Sequence, residues 1–361
     1  MKVPFLDLSK MDDSLKEELQ KAFKSSLDSG IFSGGKEVQS FIENLKKQLG
    51  EGYLQPLGNG TDALELALRA LDIQPEDEVI VPSLTWVSTA EVVHLLGAKP
   101  IFCDTDNQGL ISTNWVDLVT PKTRAIMPVH LYGKMVDMAP MCGTASKLGL
   151  AVVEDAAQSF GASQGGKASG TWGDVGAFSF YPTKNLGALG EAGACFTKSQ
   201  DLAERISLFS NHGQIRRDEH LSWGRNARID TIQASFLNVF LARFESFQKR
   251  RKTLAKNYLE ALEGYEGLLL PGGVLEEDHN AHLFVIQTTR RDELKEYLHL
   301  QGIGTAIHYP KILPDLISFQ AKGDFSISRK ITETCLSLPL NPNMSDSDQA
   351  YVIEKIQAFF K

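Results

Sequence analysis

The chain of 361 residues is 42% hydrophobic and 23% charged, enough apolar material for a large buried core and a smaller second one. Its formal net charge of −8 excludes a global basic face for nucleic acid, so a phosphorylated ligand has to be held by local groups. No run approaches the roughly 18 apolar residues of a membrane span, the opening MKVPFLDLSKMDD has no apolar signal core, and Cys103, Cys142, Cys195 and Cys335 are scattered with no metal-like cluster, so the expectation is a soluble cytoplasmic protein without a metal.

Residues 12–49 carry the periodicity of two amphipathic helices, broken at Ser29-Gly30 and at Ser33-Gly34-Gly35. From about residue 56 the pattern changes. Short apolar runs predict buried strands over 78–81, 100–103, 125–129, 150–154, 175–181 and 194–197, with helices over 62–71 and 89–96 between the first of them. This alternation predicts an α/β fold with a doubly wound, mainly parallel sheet. Ligands of such sheets bind beyond the carboxyl ends of the strands. A long helical pattern then opens after Asp230 as N-cap, holds Ile229, Ile232, Phe236, Val239, Phe240 and Phe247 near helical spacing, and ends in Lys249-Arg250-Arg251-Lys252, read as a solvated face. It leads into a smaller C-terminal α/β domain with a strand over 282–288, a helix over 292–300, a strand over 305–308 and loops over 264–273 and 310–314. The expected division is a large domain over 1–245 and a small one over 246–361.

Four places carry chemistry. Gly58-Asn59-Gly60-Thr61-Asp62 opens a helical run, and a glycine loop at a helix N-terminus suits a phosphate, with Thr61 as an extra donor. An ordinary N-cap by Thr61 or Asp62 reads equally from those residues. Trp86 follows a strand and could stack on a flat ring or simply fill the core. The apolar strand before Glu154-Asp155 ends in two carboxylates; a buried carboxylate needs a partner, and a protonated pyridine nitrogen would supply one to Asp155, with Gln158 placed for a ring hydroxyl. Capping of a following helix is the alternative for Asp155. Ser179 and Lys184 flank a strand-to-loop transition at Pro182. There Ser179 could bind a phosphate, and Lys184, among apolar and small residues, could lose its proton and form a Schiff base. Alone, Lys184 could equally be a surface lysine.

Taken in order, Gly60-Thr61-Asp62-Ala63-Leu64, Glu154-Asp155-Ala156-Ala157-Gln158, the run from Phe178 through Lys184-Asn185-Leu186-Gly187-Ala188, and Asn226-Ala227-Arg228-Ile229-Asp230-Thr231-Ile232-Gln233-Ala234 resemble the DegT/DnrJ/EryC1/StrS family of sugar aminotransferases that depend on pyridoxal 5'-phosphate (PLP). Pro4-Phe5-Leu6-Asp7-Leu8 and Ser33-Gly34-Gly35-Lys36-Glu37-Val38 fit it too, so the resemblance spans essentially the whole chain. It implies the aspartate-aminotransferase-like architecture of fold type I PLP enzymes. It implies Lys184 as the Schiff-base lysine, Asp155 on the pyridine nitrogen, Gln158 on the ring oxygen and Trp86 stacked on the ring. Gly60, Thr61 and Ser179 would hold the phosphate, joined by Asn226 from the other subunit of a homodimer with shared active sites. The residues after Lys184 are similar to those of enzymes that aminate C3 of nucleotide-linked 3-keto-6-deoxyhexoses with L-glutamate as donor. By that resemblance Tyr181, His308 and Tyr309 would hold the nucleotide-diphosphate keto-sugar, and Arg217, or its neighbour Arg216, would bind the diphosphate. Amination of a C4-keto sugar or a cyclitol, and a non-catalytic PLP-binding regulator, are the alternatives.

Two positions depart from the family pattern. Glu191-Ala192-Gly193 has alanine where a glycine is usual, and Asp218, often aromatic in the family, adds with Glu219 negative charge beside the expected diphosphate site.

Overall fold

A computed structural model describes residues 2–361. Two helices, α1 (Asp13–Ser29) and α2 (Gly35–Leu49), open it. Asp12 caps α1 by accepting from the Leu15 N–H at 2.7 Å, and Gly30, at φ 65°, ends it in the left-handed conformation that glycine adopts without strain.

The strands β1 (Tyr53–Leu57), β2 (Glu78–Pro82), β3 (Lys99–Cys103), β4 (Thr123–Ile126) and β5 (Ala151–Asp155) are followed by the short hairpin β6 (Ser163–Gln164) and β7 (Lys167–Ala168), then by β8 (Val175–Ser179) and β9 (Gly193–Thr197). A seven-stranded sheet forms in the order β1-β9-β8-β5-β4-β2-β3, with β9 antiparallel to both neighbours and the remaining pairings parallel. β1 has no strand signature in the sequence because Pro56 interrupts it. The sheet tolerates that proline because β1 lies at its edge.

Helices α3 (Gly60–Ala70), α4 (Ser88–Leu95) and α5 (Met138–Lys147) connect these strands, and α6 (Gln200–Ser210) follows β9. α3 starts two residues before the predicted 62, because Asn59 is the cap: its Oδ1 accepts from the Asp62 N–H at 2.8 Å. Neither Thr61 nor Asp62 is spent on that role. After the hairpin β10 (Gln214–Arg216) and β11 (Glu219–His220), the expected long helix proves to be two, α7 (Thr231–Ala242) and α8 (Phe244–Leu262). The break falls at Arg243, whose guanidinium bonds Asp12 at 3.2 Å and Glu18 at 2.6 Å on α1. Asp230 occupies the N-cap position of α7 but makes no capping hydrogen bond. The charge run on α8 is not uniformly solvated either. Arg251 is buried at 4% exposure, in phase with the buried Leu254, Ala255, Tyr258 and Leu262.

The C-terminal region holds β12 (Phe284–Gln287), α9 (Arg291–Leu300), α10 (Ser326–Thr334), β13 (Cys335–Leu338) and α11 (Asp346–Phe360). β12 pairs antiparallel with β13, a strand the periodicity did not reveal. The predicted strand over 305–308 reduces to one bridge, Ala306 with Ser337. It stops there because the His308 carbonyl accepts from the Tyr132 hydroxyl instead of a neighbouring strand.

Leu254, Tyr258, Phe284, Leu294, Leu336 and Val352 form an apolar cluster apart from the one packed on the large sheet, and Val3 joins it. A third cluster supports the end of β8 from below: Phe160 meets Phe178 and Phe180 edge-on at 6.0 and 5.9 Å. Among the described residues no helix is long and apolar enough to cross a membrane.

Candidate active site

Two adjacent carboxylates end β5, and strand alternation sends them to opposite faces. Glu154 is fully buried and fully matched. Its Oε1 accepts from Trp172 N–H at 2.6 Å and Gly173 N–H at 2.8 Å, and its Oε2 from Gly170 N–H at 2.9 Å. His130 Nε2 lies 3.0 Å from the same Oε2, and its Nδ1 accepts from Val136 N–H at 3.1 Å, so the ring proton sits on Nε2 and is donated to Glu154. Asp155 faces the other way. Its Oδ2 accepts from Thr89 Oγ1 at 2.8 Å and its Oδ1 from Ala157 N–H at 3.2 Å. No helix follows, so Asp155 is not a helix cap. Burial pushes its carboxyl above the usual range, opposed by the Thr89 and Ala157 hydrogen bonds and by the charge of Lys184. Two neutral donors leave this buried carboxylate acceptor capacity for one further N–H, which fits a protonated pyridine nitrogen.

Beyond β8 the chain turns at Pro182, and Lys184 N–H donates to Tyr181 O at 2.8 Å. Gly187 lets this loop close: a Cβ there would stand 2.6 Å from Pro182 O. Burial lowers Lys184 from the ordinary 10.5 to about 8, against the pull of Asp155. A substantial fraction of the amine is therefore neutral near physiological pH, the form a carbonyl requires. Asn185 anchors the loop to the C-terminal half. Its Nδ2 donates to Gln248 Oε1 at 2.8 Å and to Asn280 O at 3.0 Å, and its Oδ1 accepts from His282 Nδ1 at 3.0 Å. Burial, with Lys184 and Arg251 nearby, keeps His282 neutral.

At Gly60 a Cβ would lie 2.7 Å from Ser179 Cβ, so the absence of a side chain lets the first turn of α3 meet the end of β8. Gly60, Thr61 and Ser179 thereby converge. Thr61 Oγ1 is 2.9 Å from Ser88 Oγ, and Ser179 Oγ accepts from Tyr181 N–H at 3.3 Å, a long bond that leaves the hydroxyl hydrogen to donate. Hydroxyls and an open helix N-terminus suit a phosphate. The acidic Asp62 and Glu65 behind them are both held by Arg225. Asn226 is exposed on the segment beside this loop, where Gly58 N–H donates to Ala227 O at 2.8 Å.

The remaining expected residues divide into two groups. Gln158 Oε1 accepts from Tyr132 N–H at 2.6 Å and its Nε2 donates to the Tyr309 hydroxyl at 3.1 Å. Tyr309 also meets the Trp86 ring at 5.7 Å, and Trp86 is itself 58% exposed. His308 shares its Nδ1 with Ser337 Oγ at 2.8 Å and is pushed by burial, and by Lys184, down to about 4, so it is neutral at physiological pH. Tyr181 stands exposed at the exit of β8. These all gather around Asp155 and Lys184. Arg217 does not: its side chain is 95% exposed in the β10–β11 turn, 3.7 Å from Asp218, while Arg216 pairs with Glu219. Sequence reasoning missed Thr89, Asn280 and His282, and took Asn185 only as part of a motif. Asn280 is 1% exposed and ties Gln158 O to the C-terminal half at 2.8 Å.

This fold and site define a PLP-dependent aminotransferase. The model of the DegT/DnrJ/EryC1/StrS aminotransferase family matches residues 13–357, and the chain belongs to that family. It is 38% identical to dTDP-3-amino-3,4,6-trideoxy-alpha-D-glucose transaminase of Streptomyces venezuelae, over 99% of this chain and 96% of the relative. It is 36% identical to UDP-N-acetyl-3-dehydro-alpha-D-glucosamine 3-aminotransferase of Acidithiobacillus ferrooxidans, over 98% and 97%. Among solved structures, S. venezuelae DesV in complex with a ketimine intermediate superposes with a TM-score of 0.96 at 37% identity, covering 99% of this chain and 98% of that one.

Proposed function

We propose that the protein transfers the amino group of L-glutamate to a nucleotide-linked keto-deoxyhexose, converting a dTDP-3-keto-6-deoxyhexose to the 3-amino sugar, and that it works as a homodimer with shared active sites. The observation that carries the chemistry is the pair of Lys184, depressed to about 8 in the loop beyond β8, and a buried Asp155 with acceptor capacity to spare at the end of the adjacent β5. Amination at C3 is supported by the names of both relatives, one a dTDP-sugar and one a UDP-sugar enzyme. The homodimer is supported by large apolar side chains left exposed, among them Phe32, Trp86, Tyr181 and Trp223 at 88%.

PLP, when bound, supplies an electron sink for the carbanion at the reacting carbon. Asp155 would hold the proton on the ring nitrogen, Gln158 would bond the ring oxygen, and Trp86 would cover the ring face. Gly60, Thr61 and Ser179 would bind the phosphate, with Asn226 contributed from the partner. Lys184 Nζ would take the proton from the donor's Cα as general base and return it as general acid. The neutral His308, with Tyr309 and Tyr181, would position the sugar, and Arg217 would meet the diphosphate.

The test uses purified protein, PLP and L-glutamate with dTDP-3-keto-6-deoxyhexose or its 4-keto isomer, following 2-oxoglutarate release. Release with the 3-keto isomer is expected. Preference for the 4-keto isomer would move the assignment to C4. An absorbance spectrum that glutamate and other amino acids leave unchanged would favour a regulator and overturn transamination by this chain.

A further inference from the structure

Arg251 is the least expected buried group in the chain. A guanidinium removed from water is costly unless a carboxylate or a full set of acceptors meets it. Arg291 illustrates the usual solution: Asp292 at 2.6 Å, with the carbonyls of Thr332 and Cys335. Arg251 has no such solution. Its Nη1 reaches only two carbonyls, His282 O at 3.4 Å and Leu340 O at 3.2 Å, and among the described residues its buried Nε finds no acceptor. Burial alone lowers it to about 10, with no anion pulling it back up.

What adjoins this arginine is a cavity of about 90 Å³, room for roughly three waters or one small carboxylate. Arg251 and Lys184 both line it, with Asn341 and Asn343 and the apolar side chains of Leu15 and Phe247, and no aspartate or glutamate is among the lining residues. Arg251 therefore borders a largely apolar hole whose lining offers it no counter-charge. The hole is also tied to the catalytic loop, because the residue whose carbonyl Arg251 touches, His282, bonds Asn185 beside Lys184.

We propose that this cavity seats the carboxylate of the amino donor, with Arg251 as its binding cation. The inference rests on the transaminase reading and deepens it: every α-amino acid donor brings a carboxylate, and that carboxylate must lie within reach of the lysine that works on its Cα. The guanidinium fork suits a carboxylate bidentately. The apolar walls strengthen the pairing by excluding water.

The experiment follows the cofactor's absorbance in the holoenzyme as L-glutamate is added, and compares wild type with Arg251→Met, Arg251→Lys and Asn343→Asp. The last places a carboxylate at the exposed mouth of the cavity, where folding is not at stake, so the test stands even where Arg251→Met fails to fold. Arg251→Met is expected to raise half-saturation by glutamate about 10- to 100-fold, Arg251→Lys by less, and Asn343→Asp severalfold, with the cofactor spectrum and the KM for the keto-sugar unchanged. A wild-type enzyme that reacts with glutamate, beside folded variants with unaltered half-saturation, would overturn the inference alone and leave Arg251 lining a hydrated structural cavity. A wild-type enzyme that no amino acid changes would overturn the transaminase reading itself, and this inference with it.

Discussion

The floor of the site is expected to hold the cofactor and the β10–β11 hairpin to meet the substrate, and the two are built by opposite means. On the floor, Asp155 and Ser179 leave the ends of buried strands, and Lys184 is locked by Asn185 to α8 and the segment around residue 280. On the hairpin, Arg216 and Arg217 stand in solvent and are answered by Glu219 and Asp218 next to them. Groups held by buried hydrogen bonds have shifted proton affinities before any ligand arrives, whereas an exposed arginine acquires a role only when something covers it. The chemistry of this chain is thus prepared by its own fold, whereas the hairpin arginines would take the substrate role proposed for them only once something covers them.

Substitutions on the two sides should separate accordingly. Lys184→Ala should lower turnover by at least about 10⁴-fold with the fold intact; measurable turnover near wild type would break the comparison at its root. Glu154→Ala and Asp155→Asn should then diverge although the residues are neighbours. The first removes the anion that satisfies His130 and three backbone N–H groups and should cost about 3–5 kcal/mol of stability, read by denaturant unfolding. The second should leave the unfolding midpoint nearly unchanged and lower kcat on the order of 10²–10³-fold.

The pH dependence of Lys184 is the next largest effect. Its pKa is depressed, so the neutral amine forms as pH rises through about 8, instead of through an ordinary lysine's 10.5. The rate at which apoprotein captures PLP should climb through that lower midpoint and level off above it. The smallest effect belongs to the hairpin: Arg217→Ala should change stability by less than about 0.5 kcal/mol, and its whole consequence should appear in the KM for the nucleotide-sugar.

How legible each region was in the sequence follows the same division. Alternating apolar runs predicted β2 to β5, β8 and β9, because a strand buried on both faces must be apolar throughout, and the carboxylate and lysine stood out against that background. β1 and β13 escaped, the one interrupted by Pro56 and the other short and joined directly to α10. Thr89, Asn280 and His282 were illegible for another reason. A polar side chain's destination depends on which distant element packs over it, and nothing local tells a threonine that it will meet Asp155. Arg251 is the intermediate case. Its composition, four basic residues in a row, pointed to solvent, while its helical phase with Leu254, Ala255 and Tyr258 pointed to the interior, and phase prevailed.

The most direct test of the account is chemical trapping on the intact holoenzyme: borohydride reduction, proteolysis and mass mapping of the fixed pyridoxyl group. The label is expected on Lys184 alone, and none after Lys184→Ala. A label on any other lysine, or holoenzyme that retains the cofactor with no lysine labelled, would contradict it.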